Sequence, residues 1–191
     1  MKIIIALTGG IGSGKSIVSA MLRTMGYPVY DCDSKAKMVM DNPDDIKREL
    51  MHVFGHDAIS VGGVINRQYL GNVAFNDATK LEQLNAIVHP AVRCDLQQWI
   101  DYNNVDRLFV ETAILRSSGL GDIVGREWNV QAPLELRVNR VMKRNGMSRE
   151  AVLARIQAQA YEMQTGQDTT VIINDGILAV LPQILGALSK I

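Results

Sequence analysis

A chain of 191 residues and 21.1 kDa has room for one α/β domain with an insertion, and excludes a multidomain machine. Apolar residues make up 47% and charged residues 21%, close to ordinary globular composition, so disordered, collagenous and coiled-coil classes are excluded. Lys and Arg number 20 and so do Asp and Glu; with no basic excess to displace counterions from a polyphosphate, nucleic acid is not the expected partner, and any bound anion is held by a local arrangement of charge and amide dipoles.

Residues 2–7 form an apolar run after Lys2, as a central parallel strand covered on both faces requires. The run superficially resembles a signal peptide, but it is short and passes into Thr8-Gly9-Gly10 instead of a cleavage site. Glycine-rich Gly9 to Gly14 follows. Val18, Met21, Leu22 and Met25 then recur at helical spacing from Ser16 until Gly26 stops the turn. Pro28-Val29-Tyr30 opens a second strand ending in Asp31-Cys32-Asp33, which completes a βαβ unit.

Residues 34–102 are helical in pattern. Ile46, Leu50, Val53 and Phe54 mark one face and Leu81, Leu84, Val88, Val92 and Trp99 another, with Gly55, Gly62 and Gly63 as breaks. So long a helical stretch between strands predicts an inserted lobe. Pro90 removes a helical donor and biases His89 out of helical geometry, which predicts a kink. A third strand, 107–111, ends in Glu111; a fourth covers Trp128 to Ala132. Pro133 opens a helix that Asn145-Gly146 breaks, Ser148 caps the next, and 169–173 make a last strand. Gly176 to Leu188 is uncharged but too short to cross a bilayer. Cys32 and Cys94 show no CxxC or metal-type spacing, which points to a reducing, cytoplasmic setting. The methionines sit mostly at core spacing and read as packing.

Gly9-Gly10-Ile11-Gly12-Ser13-Gly14-Lys15-Ser16 satisfies GxxxxGK[ST] between a strand and a helix, the context its mechanism needs. Backbone amides from Gly10, Ile11, Gly12, Ser13 and Gly14 converge on phosphate oxygens, Lys15 reaches the β/γ oxygens and the Ser16 hydroxyl ligates Mg²⁺. Parallel strands share a carboxyl edge, so Asp31 and Asp33 are expected beside this loop; they either serve the acceptor hydroxyl and the metal or cap the following helix. Glu111 is either a magnesium-holding acid or a surface glutamate at a strand end. Arg137, Arg140 and Arg144 share a helical face beside Leu134, Val138 and Val141, and Arg155 follows. They form either a lid over the transferring phosphoryl group or an ordinary solvated face.

Taken in order, Leu7-Thr8-Gly9-Gly10-Ile11-Gly12-Ser13-Gly14-Lys15-Ser16, Asp31-Cys32-Asp33 with Ala36, Leu84-Asn85 with His89-Pro90, Ala132-Pro133, Arg140-Val141-Met142-Lys143-Arg144 and Asn174-Asp175-Gly176 resemble the dephospho-CoA kinase family across nearly the whole chain. The resemblance implies a P-loop NTPase-type parallel sheet flanked by helices. Its nucleotide-binding core would comprise 1–33 and 103–191, with a lid about 134–160 and a helical CoA-substrate lobe over 34–102. It implies transfer of the ATP γ-phosphoryl group to the ribose 3′-hydroxyl of dephospho-CoA, with Mg²⁺ and no obligatory protein partner. Under it Lys15, Asp33, Arg140 and Arg144 are catalytic, Ile17 and Asn174 join the loop at the nucleotide, and His89 and Arg93 belong to the substrate lobe. Three positions depart from the family's pattern: Ile17 where a hydroxyl is usual, Lys37 where Arg is frequent, and Arg116-Ser117 where an acid is common. The rival readings are a nucleoside monophosphate kinase of the same superfold, a nucleotide-dependent regulatory switch, for which no Asn-Lys-x-Asp motif is present, and a non-catalytic CoA-binding module.

Overall fold

β1 (Ile3–Thr8) is the middle strand of a five-stranded parallel sheet completed by β2 (Val29–Asp31), β3 (Arg107–Glu111), β4 (Arg126–Gln131) and β5 (Thr170–Ile173), in the order β2-β3-β1-β4-β5. These strands belong to a computed structural model that describes residues 2–41, 44–163 and 169–191. Ile5, Ala6 and Leu7 are fully buried, the fate of an apolar strand with neighbours on both sides and layers on both faces. Against one face lie α1 (Lys15–Thr24) and α8 (Val180–Leu188), whose Val18, Leu22, Ile184, Ala187 and Leu188 close a core with Ile5, Leu7, Phe109, Trp128, Val130 and Ile172. Phe109 sits edge-on to both Tyr27 and Trp128, with ring centroids 5.6 and 5.1 Å away.

The register sets the order of the acids along the sheet edge. β2 does not neighbour β1; β3 lies between them, with Glu111 opposite Leu7 on one side and Asp31 on the other. The first crossover skips a strand position that β3 later fills. At about 4.8 Å per strand, the acid one strand from β1 is Glu111, and Asp31 is one strand further out. The fourth strand begins at Arg126, two residues before the tryptophan that marks it in the sequence.

The chain divides into two compact units, Met1–Asp31 with Asn103–Ile191, and Cys32–Tyr102. In the first, α6 (Leu134–Asn145) and α7 (Arg149–Ala158) form a helical hairpin around Val138, Val141 and Val152. Leu134 is half exposed and outside that core, because Pro133 precedes the helix with an extended ψ of 143° and the first turn begins one residue later than expected. Gly146 closes α6 at a φ of 64°, and the Ser148 hydroxyl caps α7 by accepting from the Ala151 amide.

The second unit is helical: α2 (Cys32–Asp41), α3 (Asp44–Phe54), a 3₁₀ turn at His56–Ala58, α4 (Arg67–Asn76) and α5 (Ala78–Tyr102). Ile46, Leu50, Phe54, Ala58, Ile65 and Leu70 form its core. Asn66 caps α4 through the Tyr69 amide, and the Tyr69 hydroxyl donates to the Phe54 carbonyl at 2.9 Å. α5 runs through Pro90 as one helix, so His89 is helical. Val88, Val92, Leu96 and Ile100 are buried at steps of four along it, and such a stripe outweighs the roughly 3 kcal/mol that an internal proline costs. The buried stripe continues into Leu96 and Ile100 and leaves Leu81 exposed. No helix among the described residues is long and apolar enough to cross a membrane.

Because Phe109 joins two aromatic neighbours in the sheet core, Phe109→Ala is expected to cost about 3–5 kcal/mol of unfolding free energy, and Phe109→Leu less than half of that. Urea denaturation of the two variants checks the ordering.

Candidate active site

The loop between β1 and α1 leaves the central strand at its carboxyl end. Gly12 has a φ of 78° and Gly14 a φ of 98°, conformations an L side chain resists. Space forbids one as well: a Cβ on Gly12 would lie 2.6 Å from the Arg137 carbonyl oxygen, and one on Gly14 would fall on Asn174 Nδ2. Gly14 is also the residue from which α1 starts, without a side-chain cap and without an acid in the first turn. The positive end of that helix is therefore uncompensated by any neighbouring carboxylate of its own.

Each carbonyl from Gly9 to Gly14 has a donor. Lys15 Nζ donates to Gly9 O at 2.6 Å, Ser13 N to Gly10 O at 3.0 Å, Arg137 Nε to Ile11 O at 3.0 Å, and Ile17 N to Gly14 O at 3.0 Å. Arg140 Nη1 reaches Gly12 O at 3.3 Å and Ser13 O at 3.4 Å, and Asn174 Nδ2 donates to Ser13 O at 2.8 Å. Arg140 also donates to the Asn174 carbonyl and side-chain oxygens, while the Asn174 amide is tied to Gln131 O at 2.8 Å. Among the described residues, the amides of Gly12 and Gly14 have no partner, and the Ser13 hydroxyl is buried without one. The loop thus turns its carbonyls inward onto donors and leaves amides for an anion.

Ile11 has partners the sequence did not announce. Its amide donates to Gln159 Oε1 at 2.8 Å, and its side chain packs into the α6–α7 core. Burial lowers the pKa of Arg137, whose Nη2 is buried and unpartnered among the described residues. Arg144 is exposed and donates to Asn145 Oδ1 at 2.8 Å, so this conformation does not bring it to the loop. Ser16 and Ile17 are exposed on the first turn of α1.

Glu111 ends β3 beside β1, and its Oε2 accepts from Ser19 Oγ at 2.6 Å. Ser16 and Ser19 are three residues apart on α1 and share a face, so that contact turns the Ser16 side of the helix toward the end of β3. A serine hydroxyl and a carboxylate are hard oxygen donors, and the described residues hold no cluster of three or more His, Cys, Asp or Glu that would make a metal cage. That donor set fits magnesium, which keeps waters and substrate oxygens and takes one or two protein ligands. Asp31 ends β2; Asp33 follows two residues later, in the first turn of α2. His89 and Arg93 lie one helical turn apart on α5 of the helical unit, both half-buried.

At Arg116-Ser117 a carboxylate arrives from elsewhere in the chain. Glu162, 6% exposed, accepts from the amides of Arg116 and Ser117 at 2.8 and 3.0 Å. The Arg116 guanidinium returns to the Glu162 carbonyl at 2.9 Å and to Glu127 at 3.4 Å. Neither Gln159 nor Glu162 belongs to a motif of recognisable spacing, and neither stands out among the polar residues that end α7.

Gly14→Ala is expected to weaken nucleotide binding at least tenfold, since it meets both a left-handed backbone and the Asn174 amide. Titration with a fluorescent ATP analogue reads the loss.

The geometry can be set beside known proteins. A family profile described as dephospho-CoA kinase matches residues 3–179. Dephospho-CoA kinase from Bacteroides fragilis is 41% identical over 187 residues, which cover 97% of this chain and 91% of that one. The crystal structure of a Thermus thermophilus protein superposes with a TM-score of 0.86 at 39% identity, covering 99% of this chain and 97% of that one. Dephospho-CoA kinase from Campylobacter jejuni, 22% identical, shares the fold with a TM-score of 0.69 over 100% of this chain and 97% of its own. A P-loop seated on the central strand, with matches that run almost end to end, leaves one assignment: the chain belongs to the dephospho-CoA kinase family.

Proposed function

We propose that this protein transfers the γ-phosphoryl group of ATP to the ribose 3′-hydroxyl of dephospho-CoA, giving CoA and ADP, the last step of coenzyme A synthesis. The observation that carries the reading is the phosphate loop itself, whose inward carbonyls are held by Lys15, Arg137, Arg140 and Asn174 while the amides of Gly12 and Gly14 have no partner among the described residues. The triphosphate tail lies along those amides and the start of α1. Lys15 exchanges the Gly9 carbonyl for β- and γ-phosphate oxygens. Ser16 and Glu111 would hold Mg²⁺, which supplies charge neutralisation of the phosphates.

Asp33 orients the 3′-hydroxyl and takes its proton as the oxygen attacks phosphorus; the bond to the β–γ bridging oxygen breaks and the electron pair leaves with ADP. Arg144 swings from its exposed position to the equatorial oxygens, where a planar, permanently charged guanidinium matches the spreading charge. Asn174 lies on the adenine side of the loop, and His89 and Arg93 hold the acceptor within the helical unit. The reaction is cytoplasmic, in keeping with two free cysteines, and needs no protein partner.

A nucleoside monophosphate kinase of the same fold would use the same loop, so the acceptor decides. Incubation with MgATP and either dephospho-CoA, AMP or CMP, followed by product masses, is expected to yield CoA alone; phosphorylation of AMP in place of dephospho-CoA overturns the reading. Asp33→Asn is expected to lower kcat by about two to four orders of magnitude, the span of a lost general base, with the affinity for ATP nearly unchanged. Arg144→Ala should lower kcat at nearly constant ATP affinity, whereas Arg140→Ala, which also unties Gly12, Ser13 and Asn174, should impair both. Steady-state kinetics paired with nucleotide titration separates the two arginines.

A further inference from the structure

We propose that Gln159 is a positioning residue for nucleotide binding: by accepting from the Ile11 amide it fixes the peptide planes that present the phosphate loop to the nucleotide. The inference rests on reading Gly9–Ser16 as the triphosphate cradle, as above. Gln159 is the residue that ends α7, where its own amide closes a turn onto Ile156 O at 3.2 Å. Its Oε1 reaches across 148 residues of sequence to the Ile11 amide at 2.8 Å. Arg137, from the start of α6, takes the Ile11 carbonyl at 3.0 Å, and the Ile11 side chain is packed among Val138, Val141 and Val152. One loop residue is therefore held at its donor, its acceptor and its side chain by the end, the beginning and the core of one helical hairpin.

The consequence follows from the planarity of the peptide bond. A trans peptide points its N–H and C=O in opposite directions. Holding Ile11 O on Arg137 therefore turns the Gly12 N–H away from the hairpin. Holding Ile11 N–H on Gln159 fixes the preceding plane, whose carbonyl, Gly10 O, is the acceptor for Ser13 N at 3.0 Å. With both planes set, the turn that places the Ser13–Gly14 segment under α1 has one arrangement. Without Gln159, a part-buried amide lacks its acceptor, the plane between Gly10 and Ile11 is held only by the Ser13 amide at its carbonyl, and the Ser13 turn loosens with it. The hairpin is thus coupled to nucleotide affinity through a residue that touches no substrate.

The test compares Gln159→Met, similar in length but without a comparable acceptor, with Gln159→Glu, which restores an acceptor oxygen. In the nucleotide-free protein, exchange of the Ile11 amide measured by NMR is expected to accelerate at least about tenfold in the Met variant and to slow again in the Glu variant. The KM for ATP of the Met variant should rise about fivefold to tenfold, with kcat and the KM for dephospho-CoA within twofold of the wild type. An ATP KM within twofold of the wild type overturns the proposal. So does a loss of kcat and of both KM values in step with a lowered melting temperature, which marks Gln159 as a structural link only. Wild-type protein run alongside separates this from the functional reading: if it phosphorylates a different acceptor, the acceptor assignment fails, while amide exchange and the ATP KM still decide on Gln159.

Discussion

A chain segment that turns its amides toward an anion must turn its carbonyls the other way, and those carbonyls need donors of their own. In this protein the need is met in full between Gly9 and Gly14, by the Ser13, Ile17 and Val18 amides and by Lys15, Arg137, Arg140 and Asn174. Arg137 and Arg140 come from α6 and Asn174 follows β5, so the loop is shaped in part by elements more than a hundred residues away in sequence. An unmet carbonyl in a half-buried turn costs about 1–3 kcal/mol. Six satisfied ones make the loop a rigid part of the sheet edge before any nucleotide arrives, which is how a binding site avoids an ordering cost at the moment of binding.

The same donors set the surroundings of the α6 arginines. Their spacing of three and four residues reads as a charged face that closes over a phosphoryl group. In the structure Arg137 and Arg140 hold the back of the loop, and of the three only Arg144 is exposed. A guanidinium suits the back as well as the front: Arg140 turns Nη1 toward the Gly12, Ser13 and Asn174 carbonyls and Nη2 toward Asn174 Oδ1. The single cationic stripe seen in sequence therefore splits into two arginines that donate to the loop and one that is exposed, because a helix packed against a loop presents successive turns to different surroundings.

The central strand, the loop, α1, the long helical stretch and most of the strand ends were legible in the sequence, since each carries a local signature: an apolar run, a glycine spacing, a helical period. The strand order was not. Nothing local distinguishes a crossover to the adjacent position from one that leaves room for a later strand, so the place of Glu111 between Leu7 and Asp31 emerges only from pairing. The unbroken course of α5 through Pro90 was hidden for a related reason: a local rule was overridden by burial of Val88, Val92, Leu96 and Ile100, contacts that exist only in the folded unit. Gln159 and Glu162 lay beyond reach because one polar side chain on one backbone amide leaves no period to detect.

Glu162 supplies the carboxylate that the Arg116-Ser117 turn itself lacks. Its carboxylate accepts both amides there, and Arg116 closes the loop by reaching back to Glu162 and across to Glu127. Glu127 in turn accepts from Thr8 and Thr169, and Thr8 accepts from Asn129. The result is a continuous polar network that joins β1, β4, the approach to β5 and the turn after β3, with Thr8, Asn129 and Glu162 buried. Such networks are costly when half satisfied and specific when complete. Because Gln159 and Glu162 stand three residues apart, one short segment after α7 serves both the phosphate loop and this network. A change in the hairpin would therefore reach two of the loops at the sheet's carboxyl edge through adjacent turns of the same backbone.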